Sequence, residues 1–286
     1  MSKPLILLAE SDEQIFQAIK ITLQNIGFLE IRRADSIDQA RSILGSEPVD
    51  LFISEARLKD GTTSFLIRQL RAGDLGGDPF LPVISMVANS SPDLIKGLVN
   101  DGPDDLIVKP FSAKVLSDRI DRIVNARKPF VVTYDYLGPD RRSAPRADEE
   151  KEARSFTVPN TLKQKIEGKP SRKEFSEGMK KTVLEITEAR IEAQAGAIVY
   201  QLERLLPKLA EGLMNDLEKG ALAEVITLSD RVHASLPGTS HAAQDVLFNT
   251  VSGLATTLKS GEKTGLHDNI GQIQKLSHII KRDFKL

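Results

Sequence analysis

Five short apolar runs, each followed by an amphipathic segment, fill the first 126 residues, and this alternation constrains the fold more than any other feature. Residues 4–9 are a continuous apolar stretch and 50–54 and 81–88 are largely apolar, all too short for core helices, the pattern of strands buried on both faces. Residues 29–32 and 106–108 read as shorter strands. Between them, Ile15, Phe16, Ile19, Leu23 and Ile26 recur on one face of a helix over 12–25, which Gly27 stops. Ser36 caps a helix running to Leu44, and further helices follow at 64–71 and 92–101. Ser112 caps the last one, with Val115, Leu116, Ile120, Ile123 and Val124 as its apolar stripe. Alternation of this kind predicts an α/β fold, a doubly wound five-stranded parallel sheet. In such a fold function gathers beyond the carboxyl ends of the strands, which here carry Glu10-Ser11-Asp12, Glu55, Val87-Ala88 and Lys109.

The remainder changes character. Residues 130–136 suggest one more extended piece. Residues 138–154 hold five positive and five negative side chains, a composition that favours solvation over burial. Phe156, Val158, Leu162 and Ile166 follow, so part of this stretch is expected to dock. From Ser171 onward the periodicity is helical. A stripe from Phe175 through Met179, Val183 and Ile186 to Leu209 is expected to kink or end near Leu206 because of Pro207. Three more helices are expected at 213–234, 242–259 and 265–283. The predicted organisation is an α/β domain over 1–127, a charged linker with partly docked segments over 128–171, and an all-α domain over 172–286. The last would be a bundle, or a hairpin array completed by a second copy.

Composition removes several classes of function. Lys and Arg total 39 against 40 Asp and Glu, so there is no electrostatic footprint for nucleic acid or anionic membrane. With no Cys, disulfides, thiolate metal sites and a cysteine nucleophile are excluded. No apolar run approaches the roughly 18–20 residues that span a bilayer. Acids at Glu10, Asp12 and Glu13 follow the first apolar run, which is not the pattern of a signal peptide. A cytoplasmic protein is the expectation.

The α/β half resembles the response-regulator receiver domains of two-component signalling over about residues 4–127. Residues 5–12 (LILLAESD) stand where that family has an apolar strand and an acidic pair. Residues 48–55 (PVDLFISE) stand at the strand that ends in the phosphorylated aspartate, and 81–88 (LPVISMVA) at the strand ending in Thr/Ser-Ala. Residues 101–111 (DGPDDLIVKPF) match the segment with the Lys-Pro pair. The resemblance implies an aspartate nucleophile, acids holding Mg²⁺, a hydroxyl for the phosphoryl oxygen and a charge-balancing lysine.

Of these only Lys109 stands unchanged. Glu55 occupies the phosphoacceptor position, one methylene longer, where attack geometry tolerates little error. The acidic pocket is reduced to Glu10-Ser11, or Glu10 with Asp12. Val87 takes the hydroxyl position and Leu106 the aromatic switch position, and the loop from Glu55 to Gly61 is short and lacks a proline. The expectation is a pseudo-receiver, with Glu55 paired to Lys109 either as a stand-in for a phosphoaspartate or as a structural ion pair. No cofactor is expected, and Mg²⁺ only if the acidic pocket still works.

His233 opens a run (HASLPGTS) with a faint likeness to that of histidine phosphotransfer domains, but Pro237 breaks the helix face a phosphohistidine needs. The favoured reading of His233 is a helix C-terminus. His241, His267 and His278 lack metal-ligand spacing. The glycines at 73, 76 and 77 lie between a helix and a strand, so they form a loop and not a phosphate cradle. No enzymatic motif is present. The reading is a response-regulator-like protein acting through protein partners of a two-component pathway, with a possible homodimer through the helical half. The alternative is a phosphotransfer protein using His233.

Overall fold

The computed structural model describes residues 3–88, 91–141, 154–261 and 265–286. The chain forms two compact units, one of Met1–Val131 with Tyr136–Val183, the other of Val132–Asp135 with Leu184–Leu286.

The first unit is built on β1 (Leu5–Ala9), β2 (Glu30–Ala34), β3 (Leu51–Glu55), β6 (Val83–Val87) and β7 (Asp105–Val108). They pair in parallel in the order β2-β1-β3-β6-β7. A two-residue hairpin, β4 (Arg57–Leu58) with β5 (Gly61–Thr62), follows β3 where only a loop was expected. β1, β3 and β6 are buried at every residue, which is why they lack the polar alternation of half-exposed strands. The helices are α1 (Glu13–Asn25), α2 (Ile37–Ser46), α3 (Ser64–Ala72), α4 (Pro92–Asn100) and α5 (Ala113–Asn125). Asp12, Ser36 and Ser112 cap α1, α2 and α5 through side-chain oxygens. Two apolar cores cover the two faces of the sheet. Phe16, Ile19, Leu23, Leu116 and Ile120 close one, and Ala40, Leu44, Leu66, Ile67 and Leu70 the other. The predicted doubly wound parallel sheet is the observed one.

The chain beyond α5 continues this unit. β8 (Phe130–Val132) pairs with β10 (Ser155–Phe156), and β9 (Leu137–Pro139) joins the same three-stranded sheet. α6 (Thr161–Glu167) seats Leu162, fully buried, in the core with Phe16 and Ile123. Asn160 caps α6 through its Oδ1, which accepts from Lys163 N, while its Nδ2 donates to the Ile123 carbonyl at 2.8 Å. Most of the charged stretch expected as a linker, residues 142–153, lies outside the described residues.

The second unit is helical: α7 (Arg172–Ala210, of which the part from Leu184 belongs here), α8 (Asp216–Ser235), α9 (Asp245–Ser260) and α10 (Leu266–Phe284). A single 3₁₀ turn, Ala242–Gln244, leads into α9. The four helices share one core, from Ile198 and Leu202 through Val225 and Leu228 to Phe248, Val251 and Ile273. Residues Val132–Asp135 group with these helices, and buried Gln194 donates to the Tyr134 carbonyl at 3.3 Å. Pro207 does not end α7 at Leu206, which corrects that half of the kink-or-end expectation: the helix runs on to Ala210. Proline forfeits its own N–H and crowds the carbonyl one turn before it, but here the helix closes within a turn, with the Glu211 N–H on the Pro207 carbonyl at 3.2 Å.

Candidate functional site

Parallel strands all deliver their carboxyl ends to one edge of a sheet. Here that edge receives Glu10 after β1, Glu55 at the end of β3, Val87 at the end of β6 and Lys109 after β7. Two backbone bonds fix the frame: Ala56 N donates to Met86 O at 2.7 Å, and Lys109 N to Val87 O at 2.8 Å.

Within that frame Lys109 sits between two acids. Its Nζ lies 2.6 Å from Glu10 Oε2 and forms a second ion pair with Glu55 Oε2. All three side chains are largely withdrawn from solvent. Burial pushes the Glu55 carboxyl above the usual range, and the hydrogen bond to Lys109 recovers only part of that shift. For Lys109 burial acts downward, but the bonds to Glu10 and Glu55 outweigh it and the ammonium titrates above its ordinary value. Hydroxyls of Ser54 and Thr63 donate to the Glu55 carbonyl at 2.9 and 3.0 Å, fixing the backbone that carries the carboxylate.

The neighbours of Glu10 are employed elsewhere. The Ser11 hydroxyl donates to the Asp35 carbonyl and accepts from Lys59 N, both at 3.2 Å, bracketing the β1–α1 loop to the hairpin. Asp12 accepts from Gln14 N and Ile15 N at the start of α1. Of the three residues expected to form the acidic pocket, only Glu10 therefore meets Lys109. Hairpin residues absent from the sequence reading complete this edge. The Lys59 ammonium lies 2.7 Å from Asp35, and the Asp60 carboxylate accepts from Ile37 N at 2.8 Å. The Asp60-Gly61 dipeptide, a common turn pair, was the available signal. Val87 and half-buried Leu106 meet in an apolar cluster with Ala56 and Leu98.

This donor set does not fit Mg²⁺. That ion demands near-octahedral oxygen ligands. Here an ammonium occupies the space between the two carboxylates, and the Ser11 hydroxyl and Asp12 Oδ1 are committed to the backbone. Among the described residues no group of three or more His, Asp or Glu is placed to hold a metal ion.

Residues 6–121 match the model of the response regulator receiver domain. This part of the chain is a receiver domain. It is 29% identical to the chemotaxis protein CheY of Pseudomonas aeruginosa over 118 residues, covering 41% of this chain and 94% of that protein. It is 30% identical to the phosphate regulon transcriptional regulatory protein PhoB of Escherichia coli over 128 residues, covering 44% of this chain and 54% of PhoB. The response regulator protein PilR of Pseudomonas aeruginosa is 27% identical over 129 residues, 45% of this chain but 28% of PilR. The chain thus spans about half of PhoB and under a third of PilR. Among solved structures, Vibrio cholerae chemotaxis protein CheY4 aligns with 21% identity and a TM-score of 0.39, over 43% of this chain and 99% of that one.

At the opposite end of the receiver sheet lies a cluster that the sequence reading missed. Arg71 and Arg127 share the carboxylate of Asp104, at 3.1 and 2.6 Å, and all three side chains are buried. Both guanidiniums stack on the Phe130 ring, 5.1 and 4.9 Å from its centroid. The signal was Arg71 itself, which falls one turn after Ile67 on the buried stripe of α3.

In the helical unit, His233 lies in the last turn of α8. Its Nδ1 is 2.8 Å from Asp245 Oδ1, within ion-pair range though off hydrogen-bond alignment. No helix in the described residues is long and apolar enough to cross a membrane.

Proposed function

We propose that this chain is a response-regulator-like component of two-component signalling whose receiver works without phosphorylation and acts through protein contacts. The carrying observation is the occupation of Lys109 by Glu55 and Glu10 together. In a working receiver the lysine balances charge brought by a phosphoryl group; here fixed carboxylates already supply that charge. Glu55 is longer than the aspartate of the family, and its own carboxylate is bonded rather than free to attack phosphorus. The buried Val87 offers no hydroxyl to a phosphoryl oxygen. The pocket is read as fixed in one state.

The docking face follows from this reading. α4, β7 and α5 border the pocket, and Leu94 on α4 and Val108 on β7 stand exposed there at 42% and 40%. A protein partner of the pathway would seat on these. The balanced charge of the chain speaks against a DNA-binding output, and no catalytic constellation offers an enzymatic one. The helical unit is read as a non-enzymatic, cytoplasmic interaction or dimerisation module, with its oligomeric state measurable by light scattering.

Incubation of the pure protein with Mg²⁺ and acetyl phosphate, then with an active histidine kinase, followed by intact mass, tests the reading. No added phosphoryl group is expected. A stoichiometric adduct overturns it, and its lability then separates an acyl phosphate in the receiver from a phosphohistidine at His233. Glu55→Ala divides the two roles of the ion pair. Loss of partner binding in a folded variant marks Glu55 as a phosphoaspartate stand-in, whereas loss of stability alone marks it as structural.

A further inference from the structure

β7 carries a buried charged cluster at each of its ends. Lys109 follows its last residue and is held by Glu10 and Glu55. Asp104 precedes its first residue and is held by Arg71 and Arg127. The strand between is bonded to β6 at both ends, Asp104 N to Val83 O at 2.7 Å and Lys109 N to Val87 O at 2.8 Å. The Asp104 carboxylate adds a bond from Val83 N at 2.9 Å. From Asp104 to Lys109 this strut spans roughly 16 Å.

Arg127 and Phe130 bring the chain beyond α5 into the second cluster. Arg127 donates to Asp104, to the Phe80 carbonyl at 2.6 Å and to the Pro159 carbonyl at 3.1 Å. Arg71 donates to the carbonyls of Gly102, Pro79 and Leu81 at 2.8–2.9 Å. Phe130, fully buried, lies against both guanidiniums. β9 lies on the turn that leads into β7 so closely that a Cβ on Gly138 would stand 3.0 Å from Gly102 Cα. Arg141 donates to the Pro103 carbonyl in the same turn. The surface at this end of the receiver is therefore occupied by the chain's own segment, fastened to the residues on which β7 begins.

We propose that β7 couples the Lys109 pocket to the segment after α5, so that a perturbation of the otherwise fixed pocket alters the bonding of residues 127–131 and 136–141. The physical basis is short range at each step. Hydrogen bonds near 2.9 Å weaken steeply with displacement, so a shift of β7 that relaxes one cluster strains the bonds at the other. Coupling of this kind is reciprocal: the clasp must bias the pocket as much as the pocket biases the clasp. The inference holds for any change at Lys109 and does not depend on whether phosphorylation is its cause.

Amide hydrogen exchange on the full chain, resolved by residue, supplies the test. Five proteins are compared: the unaltered chain, Glu55→Gln, Arg127→Lys, the double variant, and Lys114→Ala on the exposed face of α5 as control. Glu55→Gln is expected to change exchange at Asp104 and at Asp140, whose N–H donates to the Pro129 carbonyl, by roughly threefold or more. Arg127→Lys is expected to change exchange at Ala56 and Lys109 by a similar factor, and the double variant to depart from the product of the two. Should Arg127→Lys fail to fold, Phe130→Leu perturbs the same cluster without removing a charge. Changes confined to the mutated end, with multiplicative double-variant rates, overturn the coupling. A phosphoryl adduct would instead defeat the functional reading, so the two proposals fail separately.

Discussion

The Glu10 carboxylate and the Lys109 ammonium, 99 positions apart in the chain, meet at 2.6 Å. Glu55 closes on the same ammonium from β3, so one cation faces two acids in a site with little solvent. That imbalance shapes how the pocket responds to pH. A single buried pair would be neutral, whereas this trio carries an uncompensated negative charge whenever both acids are ionised.

Burial holds the Glu55 carboxyl above its ordinary range, so the folded state binds this proton more tightly than the unfolded chain does. Ionisation of Glu55 then subtracts stability as pH rises from the ordinary carboxyl value through the raised one. Lys109 shifts in the same direction for a different reason: burial lowers its affinity for the proton, but Glu10 and Glu55 together outweigh that loss. Its contribution is complete below the ordinary ammonium value and is lost as pH climbs through the raised one. Urea unfolding from about pH 4 to pH 7 should show a flatter curve for Glu55→Gln than for the unaltered protein. Parallel curves over that range would refute the assignment.

At the other end of the sheet, Arg127→Ala would strip the buried Asp104 of one of its two guanidinium partners and remove one face of the Phe130 stack. Arg71 still faces Asp104, so the cost comes from buried acceptors left unbonded at Asp104, Phe80 and Pro159, about 1–3 kcal/mol each. Arg122→Ala on the exposed side of α5, where Arg122 stands 3.6 Å from Asp105, should cost under ~1 kcal/mol. Denaturant midpoints of the two variants compare them directly, and equal losses would remove the clasp's claim to hold the receiver together.

Why the sequence disclosed Lys109, Glu10 and Glu55 but not Arg71 and Arg127 has a physical answer. The first three sit at ends of apolar strands, and once a parallel sheet is read the convergence of its carboxyl ends follows from topology. Ser11 and Asp12 share that loop, yet adjacent residues point apart, and Asp12 is also the best N-cap for α1; the backbone claimed it. Arg71 and Arg127 satisfy one another's surroundings through carbonyls from distant loops, and no local periodicity encodes such a partner. The hairpin after β3 rests on two backbone pairs, Arg57 with Thr62 and Leu58 with Gly61, too short to show alternation. In the second half apolar spacing placed the four helices but not every end: α7 runs past Leu206, and α8 begins later than expected because Asn215 forms a capping box with Glu218.

Leu162 tests the membership of α6 in the receiver. The residue lies beyond the segment that matches the family, but it is fully buried among Phe16, Ile19 and Ile123. Leu162→Ala should therefore destabilise the receiver by about 2–5 kcal/mol, as cavity formation in a packed core does. Ile166→Ala, on the same helix but 46% exposed, should fall within roughly 0.5 kcal/mol of the parent. A surface-like effect for Leu162, read by urea unfolding, would return α6 to the status of a tether.

In the helical unit, α9 offers two substitutions of opposite sign two residues apart. Ala255 is fully buried against α8, where Ser252 also donates to Asp230 at 2.6 Å. Enlarging it to leucine forces side chains off their rotamers or helices apart, at a cost of about 1–3 kcal/mol. Gly253 is exposed, and a Cβ there would meet nothing within 4 Å. Gly253→Ala gains helix propensity at an unobstructed position and should stabilise by roughly 0.5–1 kcal/mol. Thermal unfolding followed by far-UV circular dichroism reads both. Destabilisation by Gly253→Ala would mean that this face of α9 is covered in solution, and a second copy of the chain, detectable by light scattering, is then the occupant to seek.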